Sequence, residues 1–344
     1  MIARAALSER LNWLQRQSPR KLLNAARLWT AFHHSKLTGS PEIGAMPLSV
    51  AVEPTTACNL RCPECPSGLR SFTRPTGKLD LNLFREVLPQ VARWLTNLTF
   101  YFQGEPFLHP EFLTMVSLAS RASVYTTSST NAHYLTPEVA RETVNSGLDQ
   151  IIISIDGVTQ EVYEQYRIGG SLSRVTDGTR NLLEARRLSG LQKPRVVLQF
   201  LVLRPNEHQI PDVFRLGDEL GVDEVKLKTA QIYDHAKGSP LIPQDLRHSR
   251  YLPNPDGTWR IRSEWENKCW KMWSSCVVTW DGRVLPCCFD KDGQYVMGDL
   301  RKQSFREIWF GEKYREFRLS VLKSRASVDI CRNCSEGLSV WSGA

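Results

Sequence analysis

Between residues 48 and 232 the chain alternates six times between a strand-like run and a helix-like one. LSVAVEPT (48–55), NLTFYFQG (97–104), SVYTTSST (123–130), QIIISIDG (150–157), RVVLQFLVL (195–203) and DEVKLKTAQI (223–232) read as strands. Residues 81–94, 109–122, 136–147, 159–167, 172–189 and 209–221 carry helical spacing. Such alternation implies parallel β/α units. Several strands are nearly continuous apolar runs, as expected where helices cover one face and a filled barrel the other. An α/β fold of six units fits either an open (β/α)6 barrel or a flat doubly wound sheet, and periodicity does not choose between them.

Around this core the composition changes. Residues 1–46 form an N-terminal arm and 47–235 the β/α unit. Residues 236–268, rich in Pro, Asp, Arg and Gly, read as a linker. Residues 269–336 hold six of the nine cysteines, and 337–344 form a tail. Within 269–336, SCVVTWDGRVLPCCF (275–289) reads as a hairpin turning at Asp281-Gly282. Residues 304–323 read as helix, with Gly311 its weak point.

No apolar run approaches the roughly 20 residues of a membrane span. No signal-peptide core follows the start, so the expected location is cytoplasmic. Nine cysteines in such a chain point to metal or redox chemistry rather than a disulfide framework. The net charge is +8, and residues 1–36 carry seven basic side chains against Glu9. The rest of the chain is close to neutral, which excludes a uniformly basic nucleic-acid binder. Ser18-Pro19 starts an amphipathic helix over 18–36. Leu22, Ala26, Trp29 and Phe32 are expected to pack on the barrel with the arginines in water. Contact of this basic arm with an anionic membrane surface is the second reading.

Cys58, Cys62 and Cys65 form C-x-x-x-C-x-x-C directly after the first strand. Structural zinc would need a fourth ligand, and His109 and His133 are isolated. Three thiolates suit a [4Fe–4S] cubane whose fourth iron stays open to a substrate or cofactor. The loop would lie at the C-terminal ends of the strands, where β/α folds place their active sites.

This pattern resembles the radical S-adenosylmethionine (SAM) enzymes, over roughly residues 47–235. The resemblance implies a partial (β/α)6 TIM-like barrel and SAM bound to the open iron. It also implies reductive cleavage of SAM to a 5′-deoxyadenosyl radical that abstracts a substrate hydrogen. Gly104-Glu105-Pro106 resembles the family's G-G-E-P motif, which holds the SAM amino group, with Gln103 in place of the first glycine. Ser129-Thr130-Asn131 resembles the ribose-binding region. Ser154 and Asp156 match a SAM-contacting position, and Arg167 an arginine that pairs with the SAM carboxylate. Glu64 stands where the family usually has an aromatic residue near the adenine; it would accept a bond from the adenine amino group or face solvent.

Cys269-x12-Gly282-x4-Cys287 resembles the opening of the family's SPASM extension. Without cysteines beyond the C-x-x-C of Cys331 and Cys334, the shortened "twitch" version is implied, with one auxiliary [4Fe–4S] cluster on Cys269, Cys287, Cys331 and Cys334. A four-cysteine zinc ribbon is the alternative, and Cys276 an alternative ligand. Strand alternation would point Cys288 away from Cys287, either as a small buried hydrophobe or as a hydrogen donor facing the substrate, which makes it the catalytic candidate. Gln199, Lys226 and Lys228 alternate with apolar neighbours. Two of them are expected to reach into the barrel, there to hold an acidic substrate or the SAM carboxylate, or else to line a solvated strand end.

The expected activity is oxidation of a sugar, alcohol-type or peptide substrate. The alternative is a peptide- or protein-maturing enzyme that epimerises or cross-links. Outside catalysis, the same cysteines would serve a non-catalytic iron–sulfur or zinc scaffold or an electron carrier. The 46 residues before the barrel are too few for a winged-helix leader-binding module, which tilts the expectation away from peptides. The expected partners are SAM, a small molecule or peptide, and an electron donor such as flavodoxin or ferredoxin.

Overall fold

Strand order separates the two architectures that periodicity leaves open. In the computed structural model, which describes residues 10–262 and 266–336, six strands run parallel in chain order. They are β1 (Ser49–Val52), β2 (Asn97–Thr99), β3 (Tyr125–Thr130), β4 (Gln150–Ser154), β5 (Arg195–Val202) and β6 (Glu224–Thr229). A doubly wound sheet reverses its order at a switch point. This sheet does not, so right-handed crossovers bring the connecting helices to one face and leave the other as a lumen. The tail 337–344 and the first residues of the arm, Arg4 and Glu9 included, lie outside the described residues.

The lumen is polar. On β5, Val196, Leu198, Phe200 and Val202 are fully buried on the helix side. Alternation then turns Gln199 and Leu201 inward. In the same way Asn97 and Thr99 of β2 face Thr127 of β3, and Thr127 Oγ1 donates to Asn97 Oδ1 at 3.2 Å. The filled apolar barrel expected from the sequence is therefore half realised: apolar outside, hydroxyls, amides and lysines inside.

The C-terminal region continues the same sheet. β9 (Ser275–Val278) pairs parallel with β1, register Ser49 to Ser275 through Val52 to Val278. β10 (Arg283–Leu285) returns antiparallel, and β11 (Gly298–Asp299) forms the edge. The expected hairpin turn forms over 279–282, with Gly282 at φ +81. Within 236–268, β7 (Tyr251–Pro253) and β8 (Trp259–Ile261) make a two-stranded sheet. The buried Tyr251 hydroxyl accepts from Ile232 N and donates to Asn333 Oδ1, tying the barrel end to the C-x-x-C turn.

Helix α1 (Pro19–Thr38) is capped by Ser18, as its sequence predicts. Its buried stripe is Lys21, Asn24, Leu28, Phe32 and Ser35. Leu22, Ala26 and Trp29, expected to pack inward, are exposed. The stripe is rotated because Asn24 exchanges two hydrogen bonds with Met46, at 2.8 and 3.0 Å. Phe32 meets Trp270 and Trp273 edge-on at 5.3 Å. Gly311 divides the last helical stretch into α2 (Phe305–Trp309) and α3 (Glu312–Ser324).

A buried ion pair fastens the barrel to the hairpin. Arg74 donates both guanidinium nitrogens to Glu53, at 2.8 and 2.5 Å, and its Nε to Lys291 O at 3.1 Å. Trp280 N donates to Glu53 as well. Burial raises the Glu53 pKa while the Arg74 bonds lower it. Arg74→Ala would leave that carboxylate buried without a counter-charge, and unfolding free energy should fall by about 3–5 kcal/mol. The pair Glu53→Leu with Arg74→Met should recover most of the loss in chemical denaturation. A single Arg74→Ala variant as stable as wild type would show that the pair contributes nothing.

Candidate functional site

The loop after β1 folds back on itself. Thr55 Oγ1 donates to Gly77 O at 3.0 Å and Gly77 N to Thr56 Oγ1 at 2.9 Å, closing residues 57–76 as a flap. Cys65 begins a single helical turn, Pro66–Leu69. Gly68 is required there: a Cβ would lie 2.6 Å from Cys62 N. Arg61 N donates to Ile168 O, holding the flap against the segment after β4.

Cys58, Cys62 and Cys65 line one cavity of about 270 Å³. Gly104, Glu105, Ser129, Thr130, Asn131, Ser154 and Arg167 line it too, with Gln199 and Lys228 from β5 and β6. Two of the sulfurs receive N–H donors, Cys58 from Leu60 N at 3.5 Å and Cys62 from Arg167 Nη1 at 3.8 Å. Burial pushes the Cys58 thiol up to about 12, and Cys62 rises for the same reason. As free groups these thiols are protonated; metal ligation displaces the protons. Three thiols on one loop, with N–H donors on sulfur and a polar lumen beside them, fit a thiolate-ligated cluster. Among the described residues no three His, Cys, Asp or Glu side chains converge as a single ion would require.

Gly104 adopts φ +75, and a Cβ there would meet Thr55 O at 2.2 Å, so the chain passes tightly beneath β1. Glu105 does not face outward to a ligand. Its carboxylate is buried, accepting from Thr130 Oγ1 at 2.7 Å, Asn131 N at 2.8 Å and Phe107 N at 3.3 Å. It thereby ties the end of β2 to the end of β3. Pro106 starts the single turn Pro106–Leu108 and is buried away from the cavity. Asp156 also stands behind the wall: it accepts Arg167 Nε at 2.5 Å and Leu201 N at 2.8 Å, aiming the guanidinium into the cavity.

Glu64 is half-buried and has a protein partner. Its carboxylate accepts Tyr233 N at 2.9 Å, linking the flap to the segment after β6. Asn59 went unnoticed in the sequence although it lies between two of the cysteines; its Oδ1 accepts Asn131 Nδ2 at 2.8 Å.

Cys269 and Cys334 act electrostatically on both Cys287 and Cys331. Cys287 is raised by its hydrogen bond with Cys288, by burial, and then by Cys334 and Cys269. Arg325 donates to Cys334 Sγ at 3.4 Å and to Lys268 O at 3.0 Å. Burial opposes the Arg325 charge, yet the Cys269, Cys334 and Cys331 sulfurs raise its pKa. Cys276 stands apart on β9, buried between Tyr314 and Arg318. Because β10 ends at Leu285, Cys287 and Cys288 occupy a turn rather than a strand, and their thiols hydrogen-bond instead of facing opposite ways.

The Radical SAM superfamily model matches residues 52–216, and SPASM, an iron–sulfur cluster-binding domain, matches 269–335. The PqqA peptide cyclase of Gluconobacter oxydans is 32% identical over 317 residues, covering 86% of this chain and 85% of that protein. The tungsten-containing aldehyde ferredoxin oxidoreductase cofactor-modifying protein of Pyrococcus furiosus is 27% identical over 317 residues, covering 83% and 86%. SuiB of Streptococcus suis with bound SAM shares the fold, with a TM-score of 0.63 at 14% identity over 91% of this chain and 77% of that one.

The Glu105 pKa is raised by burial from 4.5 to about 6. A carboxyl raised in the fold stabilises most below its unfolded pKa, and that contribution is lost as pH rises through about 6. The stability of wild type relative to Glu105→Gln should therefore fall by about 2 kcal/mol between pH 4.5 and 7. Chemical denaturation of both proteins at the two pH values reads this difference. A constant difference would show that folding leaves the Glu105 pKa at its unfolded value.

Proposed function

The chain belongs to the radical SAM superfamily and carries a SPASM cluster-binding domain, and from that premise we propose that it matures a peptide or protein by hydrogen abstraction, ending in a cross-link or an epimerised centre. The observation that carries this reading is the 32% identity to a peptide cyclase, which covers 86% of this chain and so reaches beyond the barrel. That identity favours the peptide-maturing alternative over oxidation of a sugar or alcohol-type substrate. When bound, the SAM-binding [4Fe–4S] cluster and SAM supply the 5′-deoxyadenosyl radical.

The chain's own residues divide the remaining work. We assign Cys58, Cys62 and Cys65 to the SAM-binding cluster, and Cys269, Cys287, Cys331 and Cys334 to one auxiliary cluster. Arg167, aimed by Asp156, holds the SAM carboxylate. The backbone at Gly104 and Glu105 receives the SAM amino group, and Ser129, Asn131 and Ser154 meet the sugar and adenine. An external one-electron donor of the flavodoxin or ferredoxin kind supplies the cluster.

Protein purified and reconstituted without oxygen should hold about eight irons, four per cubane, and form 5′-deoxyadenosine only with reductant. Cys58→Ala with Cys62→Ala and Cys65→Ala should remove about four of them and abolish SAM cleavage. Cys276→Ala should keep the full iron content. A peptide product two mass units lighter than its precursor identifies a cross-link. Solvent deuterium in an otherwise unchanged peptide identifies epimerisation. A carbohydrate turned over while every peptide is refused would end the peptide reading.

The arm supports a second, separate role. The outward face of α1 exposes Leu22, Trp29 and Leu37 by 56%, 58% and 87% beside Arg27 and Lys36. Apolar groups among cations suit an anionic bilayer surface. No described helix is long and apolar enough to cross a membrane. Anionic vesicles should bind the protein with an affinity that falls with salt, and Trp29→Ser with Arg27→Ser should lose binding. Salt-independent binding would contradict this role.

A further inference from the structure

One bonding pattern recurs in both cysteine sets. A backbone N–H donates to the sulfur two residues before it: Leu60 N to Cys58 Sγ at 3.5 Å, Phe289 N to Cys287 Sγ at 3.5 Å and Glu336 N to Cys334 Sγ at 3.3 Å. Such donors suit thiolate ligands, whose negative charge they offset. Each set also has an arginine against a sulfur. Arg167 Nη1 donates to Cys62 Sγ at 3.8 Å, and Arg325 Nη2 to Cys334 Sγ at 3.4 Å. The two guanidiniums differ in what balances them. Asp156 accepts Arg167 Nε at 2.5 Å. Arg325 is buried, and its other acceptors are neutral carbonyls, Lys268 O and Glu336 O, both at 3.0 Å.

The Glu336 carboxylate turns to Lys271 at 2.9 Å, and among the described residues no carboxylate makes an ion pair with Arg325. Arg325 Nε is buried and has no acceptor among them either. A buried cation with an idle N–H is costly unless a further anion arrives. The side chain is nonetheless firmly placed. Its own backbone N donates to Asn267 Oδ1 at 3.0 Å, and its fork joins the residue before Cys269 to the sulfur of Cys334. One uncancelled guanidinium on a ligand sulfur, with an N–H to spare, fits a negatively charged iron–sulfur cluster.

We propose that Arg325 sets the reduction potential of the auxiliary cluster: its uncancelled charge, bonded to Cys334, favours [4Fe–4S]+ over [4Fe–4S]2+ and raises the midpoint of that one-electron couple. The external donor loses one electron as the cluster gains one. No proton moves, because the guanidinium stays charged throughout. Cluster potentials respond to charge and to hydrogen bonds on the sulfurs, and Arg325 supplies both. At the SAM-binding set Asp156 cancels the arginine, so this influence is confined to the second set. Arg325 acts through Cys334 and touches no substrate. The inference rests on the auxiliary-cluster assignment above and not on the choice of substrate.

The test uses the full-length reconstituted protein, poised at a series of potentials, with its reduced clusters measured by electron paramagnetic resonance. Spectra with and without SAM separate the two signals, because SAM alters the cluster it binds. Arg325→Gln should shift the auxiliary couple about tenfold toward its oxidised form, a fall of about 59 mV for one electron. Arg325→Lys keeps the charge but not the fork, and its midpoint should fall by less. The SAM-binding cluster should not move in either variant. An unmoved auxiliary midpoint in Arg325→Gln, with the iron content of wild type, overturns the proposal, as does an equal fall in both variants. If Arg325→Gln does not hold the auxiliary irons, Arg325→Lys decides: a lowered midpoint supports the proposal and an unmoved one overturns it. Loss of those irons from both variants also overturns it, because the arginine is then purely structural. Zinc on the second cysteine set of wild type, purified without oxygen, removes the auxiliary-cluster reading itself, and the proposal falls with it.

Discussion

Parallel pairing of Ser275–Val278 with Ser49–Val52 holds the two cysteine sets in one rigid frame. β1 leads directly into the Cys58–Cys65 loop, and β9 follows directly on Cys269 and its helical turn. A sheet continued edge to edge fixes that relation with backbone hydrogen bonds, which a flexible connector would not do. Everything nearby reinforces the joint. Arg74 and Glu53 pair across it, Trp280 bonds to both Glu53 and Pro75, and α1 lays Phe32 against Trp270 and Trp273. The separation between a SAM-binding cluster and an auxiliary cluster is thus a consequence of strand register.

The site itself is organised by carboxylates turned to protein partners. Two are buried: Glu105 fastens the ends of β2 and β3, and Asp156 aims Arg167. Half-buried Glu64 closes the flap over the segment after β6. The buried two are satisfied by backbone amides, a hydroxyl and a guanidinium, which is the condition for keeping charge in such places. The cavity-facing atoms are left to hydroxyls, amides, a guanidinium and thiols, a surface able to hold a zwitterionic cofactor. The lumen's polarity follows from the alternation of β5 and β6, whose apolar side is taken up by the covering helices.

Much of this was legible in the chain. Six strand–helix alternations implied the parallel units, and the three thiols after the first strand line one cavity at the strand ends. The G-E-P, S-T-N and S-I-D segments fell at consecutive strand ends, so alternation alone put them around one opening. Other features were hidden for identifiable reasons. Asn59 was overlooked because its partner Asn131 is 72 residues away. Cys287 and Cys288 were read as strand neighbours because local pattern does not reveal where β10 stops. The buried stripe of α1 was misjudged because Leu22 and Trp29 outrank Asn24 in hydrophobicity, while the Met46 backbone rewards the asparagine.

By itself the sequence determined the family and the parallel β/α architecture, since these depend on local spacing and period. Only the tertiary structure decided the singly wound strand order, the continuation of the sheet into the cysteine-rich region and the company each charged group keeps. Arg74 and Glu53 show the difference. In the chain they are an ordinary base and acid 21 residues apart, and nothing local marks them as a pair. Burial and mutual pairing distinguish them, and both are properties of the space between elements, which exists only after the strands have chosen their neighbours.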